Sequence, residues 1–296
     1  MKITVTGSLG NISKPLVAQL VGKGNDVIVV SRSRDKISEI EKLGAKAAIG
    51  NTTDEDFLIK TFTGSDVVYL MIPPDYQAQD MTAYIADSGK RYADAIQESA
   101  VKRIVVLSSM GAHLPLGSGP LSALALAEEH YAKLENVDIT YLRPGGFYTN
   151  YLATIGLIKH AGIIGDNTAP DSRFLITHPA DIADQAADAI LNPNVQRQNR
   201  FIISAEITNN EIASILGTAI GKPDLQWVRF ENDQYSDGLL QNGFSESAAQ
   251  SFIEMGEAFR EGRAWEQVDQ QPENVVKGKR SFEDFAKDVF APAFNQ

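Results

Sequence analysis

The stretch TGSLGNIS, Thr6 to Ser13, stands between the apolar run KITVT (2–6) and the helical pattern NISKPLVAQLVGKG, and it restricts the fold more than any other feature. Gly7 permits a tight turn, and Gly10 leaves backbone without a side chain in front of it. The helix that follows presents free N–H groups and the positive end of its dipole, with Asn11 and Ile12 offering the first amides. A third glycine is usual where Ser13 stands; its task is close helix–strand packing, and serine is small enough for it. A lone glycine pattern is weak, but strand before, helix after and a position at the chain start are the context a pyrophosphate site needs.

The rest of the first half has the rhythm such a site requires. Apolar runs at 26–31, 45–50, 66–72, 103–109 and 138–144 alternate with helical patterns at 12–22, 35–43, 54–62, 77–99 and 123–134. Most runs are continuously apolar, as strands buried on both faces are, which predicts a parallel sheet covered by helices. The fold class is α/β, a Rossmann-type doubly wound parallel sheet. Asp54 is placed to cap the third helix, and Pro73 with Pro74 ends the fourth strand. After about residue 145 the rhythm changes. FIIS (201–204) and, less clearly, WVRF (227–230) read as strands among helical stretches at 179–191, 208–220 and 245–262. The expected division is a dinucleotide-binding core, 1–150, and a smaller, mostly helical substrate lobe, 151–296, with segments returning to the core. Ser281 with Asp284 resembles a capping box opening a final amphipathic helix. His178, Pro179 and Asp181 read as a helix entry, and Lys277, Lys279 and Arg280 as a solvated turn.

The end of the second strand selects between dinucleotides. A site for NAD(H) places Asp or Glu there for the ribose 2′-hydroxyl. Here Ser31, Arg32 and Ser33 occupy the tip, with no carboxylate before Asp35. A guanidinium suits a 2′-phosphate, so NADP(H) is expected over NAD(H), with Arg32 as the contact.

Composition removes several classes. The 296 residues contain no cysteine, which excludes disulfides, thiolate metal sites and thiol nucleophiles. The histidines, His113, His130, His160 and His178, lie at no metal-ligand spacing, so no metal is expected. A net charge of −11 disfavours nucleic acid. No run is long and apolar enough for a membrane span, and the first residues lack the pattern of a secretory signal. A cytoplasmic protein acting on a small molecule, as monomer or homodimer, is expected.

With these pieces in place, the chain resembles the NmrA-like branch of the atypical short-chain dehydrogenases. TGSLGNIS, SRSRDK, VYLMIPP, VKRIVVLSSMGAH, ITYLRPGGFYTN, HPADIADQAADAIL and SFEDFAKDVFAPAF carry the likeness, which spans nearly the whole length. The resemblance implies that Gly7, Ser8, Gly10, Asn11 and Ile12 hold the pyrophosphate and Arg32 the 2′-phosphate. Met71, Ile72 and Pro73 pass over adenine and ribose. Ser108, Ser109 and Met110 lie near the nicotinamide ribose, and Pro144, Gly145, Gly146 and Phe147 flank the nicotinamide. Met110, His113, Phe147, Tyr148 and Asn150 form the substrate side, with His113 and Tyr148 as candidate catalytic groups. A histidine placed like His113 is more often a plain loop residue, and Phe147 and Tyr148 read equally as core aromatics.

The acid–base pair of typical short-chain dehydrogenases, Tyr with Lys four residues on, is absent: none of the nine tyrosines has that partner. The basic residue kept on the fifth helix by related reductases falls at Ala125, and Glu129 matches a Glu common in that helix. The family holds NADPH-dependent reductases of quinones, dyes and other unsaturated acceptors. It also holds regulators that bind the dinucleotide with little or no chemistry. Both readings stand at this point.

Overall fold

A computed structural model describes residues 1–192 and 198–296. Strand β1 (Lys2–Val5) leads through the glycine turn to α1 (Ser13–Gly22), then β2 (Asp26–Ser31), α2 (Ile37–Lys42) and β3 (Lys46–Ile49). Next come α3 (Glu55–Phe62), β4 (Val67–Leu70), α4 (Met81–Glu98), β5 (Arg103–Leu107), α5 (Pro120–Ala132) and β6 (Asp138–Pro144).

Further elements follow β6. They are β7 (Gly146–Phe147), α6 (Ile155–Ala161), β8 (Ile164–Asp166), β9 (Arg173–Thr177), α7 (Pro179–Leu191), β10 (Gln198–Ile203), β11 (Ala205–Thr208), α8 (Asn209–Ala219) and β12 (Trp227–Arg229). The chain closes with α9 (Asn232–Gln241), α10 (Glu246–Arg260), α11 (Glu266–Gln270), β13 (Val275–Lys277), α12 (Phe282–Phe285) and α13 (Ala291–Phe294). A π-helical turn over Ala286–Phe290 joins α12 to α13.

Eight strands form one sheet in the order β13-β10-β6-β5-β4-β1-β2-β3, and every pairing in it is parallel. The order reverses between β1 and β4, the place where open α/β sheets bind ligands beyond their strand ends. Alternation along the strands builds two cores. Val67 and Tyr69 join Ile3, Val5, Leu16, Leu20, Ile182 and Ile190 on one face. Val68 and Leu70 join Phe62, Tyr92, Ile96, Ile104, Ala127 and Ile139 on the other.

The expected doubly wound sheet is therefore present, and Asp54 caps α3 by accepting from Phe57 N–H at 3.1 Å. Two helices begin elsewhere than periodicity predicts. Helix α4 starts at Met81, not 77, because Asp80 caps it by accepting from Ala83 N–H. Helix α5 starts at Pro120, whose fixed φ suits the first helical position.

The C-terminal region is mostly helical, as expected, and also carries strands of two small sheets, β11-β9-β7 and β12-β8. Residues 179–191 do not belong to it by packing: Ile182, Ala183 and Ala186 of α7 lie in the first core against α1. Strands β10 and β13 return to the main sheet. The solvated-turn reading of 277–280 is corrected in part. Lys277 lies in an edge strand, and Arg280 pairs with Asp181 and, at 3.0 Å, Asp184. His178 does cap α7, its Nδ1 accepting from Ala180 N–H at 3.0 Å.

Candidate functional site

The glycine turn is pinned on both sides. Thr6 N–H donates to Tyr69 O and Ser8 N–H to Val30 O, each at 3.0 Å. Gly7 has φ +88°, and a Cβ there would stand 2.6 Å from the Met71 side chain. Glycine is required at that position by backbone and by space together. At Gly10 the only neighbour of an added Cβ is Gly7 O at 3.4 Å, so the space before it is open. Ser13 fills the third-glycine position by donating from Oγ to Thr6 O at 3.1 Å, which ties helix to strand directly.

Among the described residues, the backbone amides of Asn11 and Ile12 donate to no protein acceptor. The first turn of α1 carries no acidic side chain, and its Lys14 pairs with Glu39. Free amides, an unopposed dipole end and an open Gly10 make a cradle that fits a diphosphate.

The neighbouring strand ends close around this cradle. Ser8 Oγ donates to Ser31 Oγ at 3.0 Å, joining the turn to the tip of β2. Ser33 caps the short turn over Arg34–Lys36 and donates to Asp35, which keeps that carboxylate engaged. Arg32 is exposed and, among the described residues, has no ion pair. It lies near enough to Tyr84 to oppose the rise that burial imposes on that phenol's pKa. Tyr84 in turn donates to Pro73 O at 2.9 Å, and Met71 N–H donates to Thr6 Oγ1 at 2.8 Å. The β2 tip and the exit of β4, with Met71, Ile72 and Pro73, thus form two walls beside the turn.

The ends of β5 and β6 run on together. Ser108 N–H donates to Leu142 O at 2.8 Å and Met110 N–H to Pro144 O at 3.0 Å, so Ser108, Ser109, Pro144 and Gly145 share one edge. A Cβ on Gly145 would lie 2.1 Å from Leu175 O, and its N–H donates to Thr177 Oγ1 at 3.0 Å. Phe147 is half-buried and, like Met71 and Leu107, packs against the first core.

Two expected substrate residues lie elsewhere. Tyr148 is fully buried, packed against the rings of Phe282 and Phe285, and donates to Arg280 O at 3.1 Å. Met110 is buried in the same core. Neither reaches open space, because both serve the packing of the second lobe on the sheet. Asn150 is exposed.

His113 is half-buried, and both ring nitrogens are shielded from solvent without a protein partner among the described residues. Burial holds its pKa below the ordinary value, and nearby Arg143 lowers it further, with Glu266 acting in the opposite sense.

A buried cluster lies behind this edge that residue-by-residue reading did not find. Glu128, not Glu129, points inward from α5; Glu129 is exposed. Glu128 accepts from Arg143 Nη2 at 2.5 Å and Nε at 3.1 Å, and from Ser108 Oγ at 2.5 Å. Arg143 Nη1 donates to Gln267 Oε1 of α11 at 2.5 Å. The available signal was the RP that ends the sixth strand: an arginine there, flanked by buried apolar residues, needs a buried acceptor.

Among the described residues no group of three or more His, Asp or Glu side chains could hold a metal ion, and no helix is long and apolar enough to cross a membrane.

The sheet order, the glycine turn and the free amides define a dinucleotide-binding α/β protein. Residues 7–193 match the NAD(P)H-binding family model, and the chain belongs to that family. It is 23% identical over 297 residues to a (4-alkanoyl-5-oxo-2,5-dihydrofuran-3-yl)methyl phosphate reductase of Streptomyces griseus subsp. griseus, covering 98% of this chain and 99% of that one. It is 26% identical over 228 residues to the agroclavine dehydrogenase of Claviceps fusiformis, covering 75% and 74%. Among solved structures, the NADPH-dependent quinone oxidoreductase of Escherichia coli complexed with NADPH superposes with a TM-score of 0.80 at 17% identity, over 97% of this chain and 99% of that one. The triphenylmethane reductase of Citrobacter sp. superposes at 0.79 and 17%, over 98% and 100%. These neighbours belong to the NmrA-like, atypical short-chain dehydrogenase group.

Proposed function

We propose that this protein is an NADPH-dependent oxidoreductase that transfers hydride to a quinone-like or other conjugated small-molecule acceptor. The observation that carries the reading is the combination of amides at Asn11 and Ile12 that are free among the described residues with an Arg32 at the β2 tip that has no ion pair among them. The first suits a diphosphate, and the second a ribose 2′-phosphate where a 2′-hydroxyl site would have a carboxylate.

Gly7, Ser8, Gly10, Asn11 and Ile12 hold the pyrophosphate, and Met71, Ile72 and Pro73 cover adenine and its ribose. Ser108 and Ser109 face the nicotinamide ribose, and Pro144, Gly145 and Phe147 flank the ring. Bound there, the reduced nicotinamide supplies hydride. His113 and Asn150 remain as the substrate side, with the second lobe as its cover. The chain offers no tyrosine–lysine pair to protonate a product. Acceptors that take hydride into a conjugated system and a proton from water need only positioning against the ring. The reductases among the relatives, including those of quinones and dyes, support this class.

The same missing pair favours a second reading, an NADP(H)-sensing regulator with little or no catalysis. A panel of quinones, cationic dyes and enones separates the two. The reductase oxidises NADPH with at least one acceptor; the sensor binds NADPH and turns over none.

A further inference from the structure

A hydroxyl has a single proton, and the neighbours of Ser108 decide where its proton goes. Ser108 Oγ lies 2.5 Å from Glu128 Oε1. Both Glu128 oxygens also face the fork of Arg143, a group that can only donate. The carboxylate therefore accepts from three directions, and the Ser108 hydroxyl donates to it. Burial makes the arrangement hard to reverse: Ser108 is 5% exposed, and the side chains of Arg143 and Glu128 are 6% and 12% exposed. What Ser108 leaves free toward the strand ends is its lone pairs.

We propose that Glu128 is a positioning residue that turns the Ser108 hydroxyl into a pure hydrogen-bond acceptor for a donor group, hydroxyl or amide, on the nicotinamide half of the dinucleotide. This rests on the reading that the nicotinamide half lies beside the exits of β5 and β6. Ser108 then grips the cofactor and cannot donate to a developing oxyanion on substrate. That agrees with acceptors whose negative charge is delocalised.

The competing description is that Glu128 and Arg143 only hold α5 to β6. The two differ in coupling. Removing one charge of a buried pair is destabilising, whereas replacing both by apolar groups is often neutral. The test therefore uses Glu128→Leu with Arg143→Met, made with and without Ser108→Ala. NADPH affinity is read by titration and stability by thermal melting. Ser108→Ala alone weakens NADPH binding by roughly 3- to 10-fold, the range of one neutral hydrogen bond. The paired substitution weakens it by a similar factor when Ser108 is present and by less than about 2-fold when Ser108 is already replaced. Equal weakening with and without Ser108, or none in either, overturns the proposal. Should the paired variant fail to fold, Glu128→Asp, which withdraws the carboxylate by one methylene, is compared in the same two backgrounds with the same expected and contrary results. Wild-type protein that binds no NADPH at all would instead overturn the functional reading beneath.

Discussion

The hydroxyl of Ser8 donates to that of Ser31 over 3.0 Å, so the turn that suits a pyrophosphate and the strand tip proposed to meet its ribose are one connected unit. Arg32, the next residue, is held by no ion pair among the described residues and stands ready for an anion. Replacing Arg32 by Ala is expected to weaken NADPH binding by roughly 10- to 100-fold, the range of hydrogen bonds to a charged group, and NADH binding by about 2-fold or less. Parallel titrations of the two nucleotides check this. Equal loss for both would remove the case for the 2′-phosphate.

Gly10 and Gly7 separate binding from folding. A methyl at Gly10 meets only Gly7 O at 3.4 Å, so Gly10→Ala leaves the melting temperature nearly unchanged. The same methyl occupies the space a pyrophosphate needs, and NADPH affinity falls by an order of magnitude or more. Gly7→Ala strains a φ of +88° and drives a Cβ to 2.6 Å from Met71, so stability falls as well, by about 1–3 kcal/mol. Melting and titration of both variants show whether the two effects divide as stated.

Among the described residues His113 has no protein partner for its two shielded ring nitrogens, an arrangement that is unfavourable where water does not reach them. His113→Met removes that burden at similar volume. The melting temperature is expected to hold or rise by a few degrees, while the KM for the acceptor rises and NADPH affinity does not change. A drop in melting temperature of more than about 5 °C, on the order of 1–2 kcal/mol in a chain this size, would assign His113 to packing instead.

Stability should also depend on pH through two histidines. Burial first, and then Arg143 for His113 and Arg280 for His178, hold both below the ordinary value of 6.5 in the folded chain. Glu266 opposes the shift at His113, and Asp181 and Asp184 oppose it at His178. Below 6.5 the unfolded chain takes up protons that the folded chain refuses. The stabilisation is therefore complete above that value and lost as pH falls toward the folded values. Melting temperature is expected to fall between about pH 7.5 and pH 5.5, and less steeply in His113→Gln and His178→Asn. Asparagine preserves the cap that His178 gives α7. An unchanged slope in both variants would show that other groups set it.

The inner strands of the central sheet were legible because they are buried on both faces and read as unbroken apolar runs, from Ile3 to Leu142, whereas the three-residue edge strand β13, read as part of a solvated turn, was not. The turn was legible because Gly7 and Gly10 answer local demands of backbone and space. The second lobe was not, for reasons of range. Strand β8 pairs with β12 across some sixty residues, and β7 is two residues long, too short for any periodicity. Tyr148 shows the limit for side chains: an aromatic at a strand exit suits a substrate wall and a core equally, and only the distant Phe282 and Phe285 decide for core. The choice of Glu128 over Glu129 turns on one residue of helical phase, about 100° of rotation, which the bond to Arg143 settles.

The most direct test is titration of the purified chain with NADPH, followed by nicotinamide fluorescence. Saturable one-to-one binding, tighter for NADPH than for NADH and abolished or strongly weakened by Gly10→Ala, is the predicted result. Absence of saturable binding by either nucleotide would contradict it.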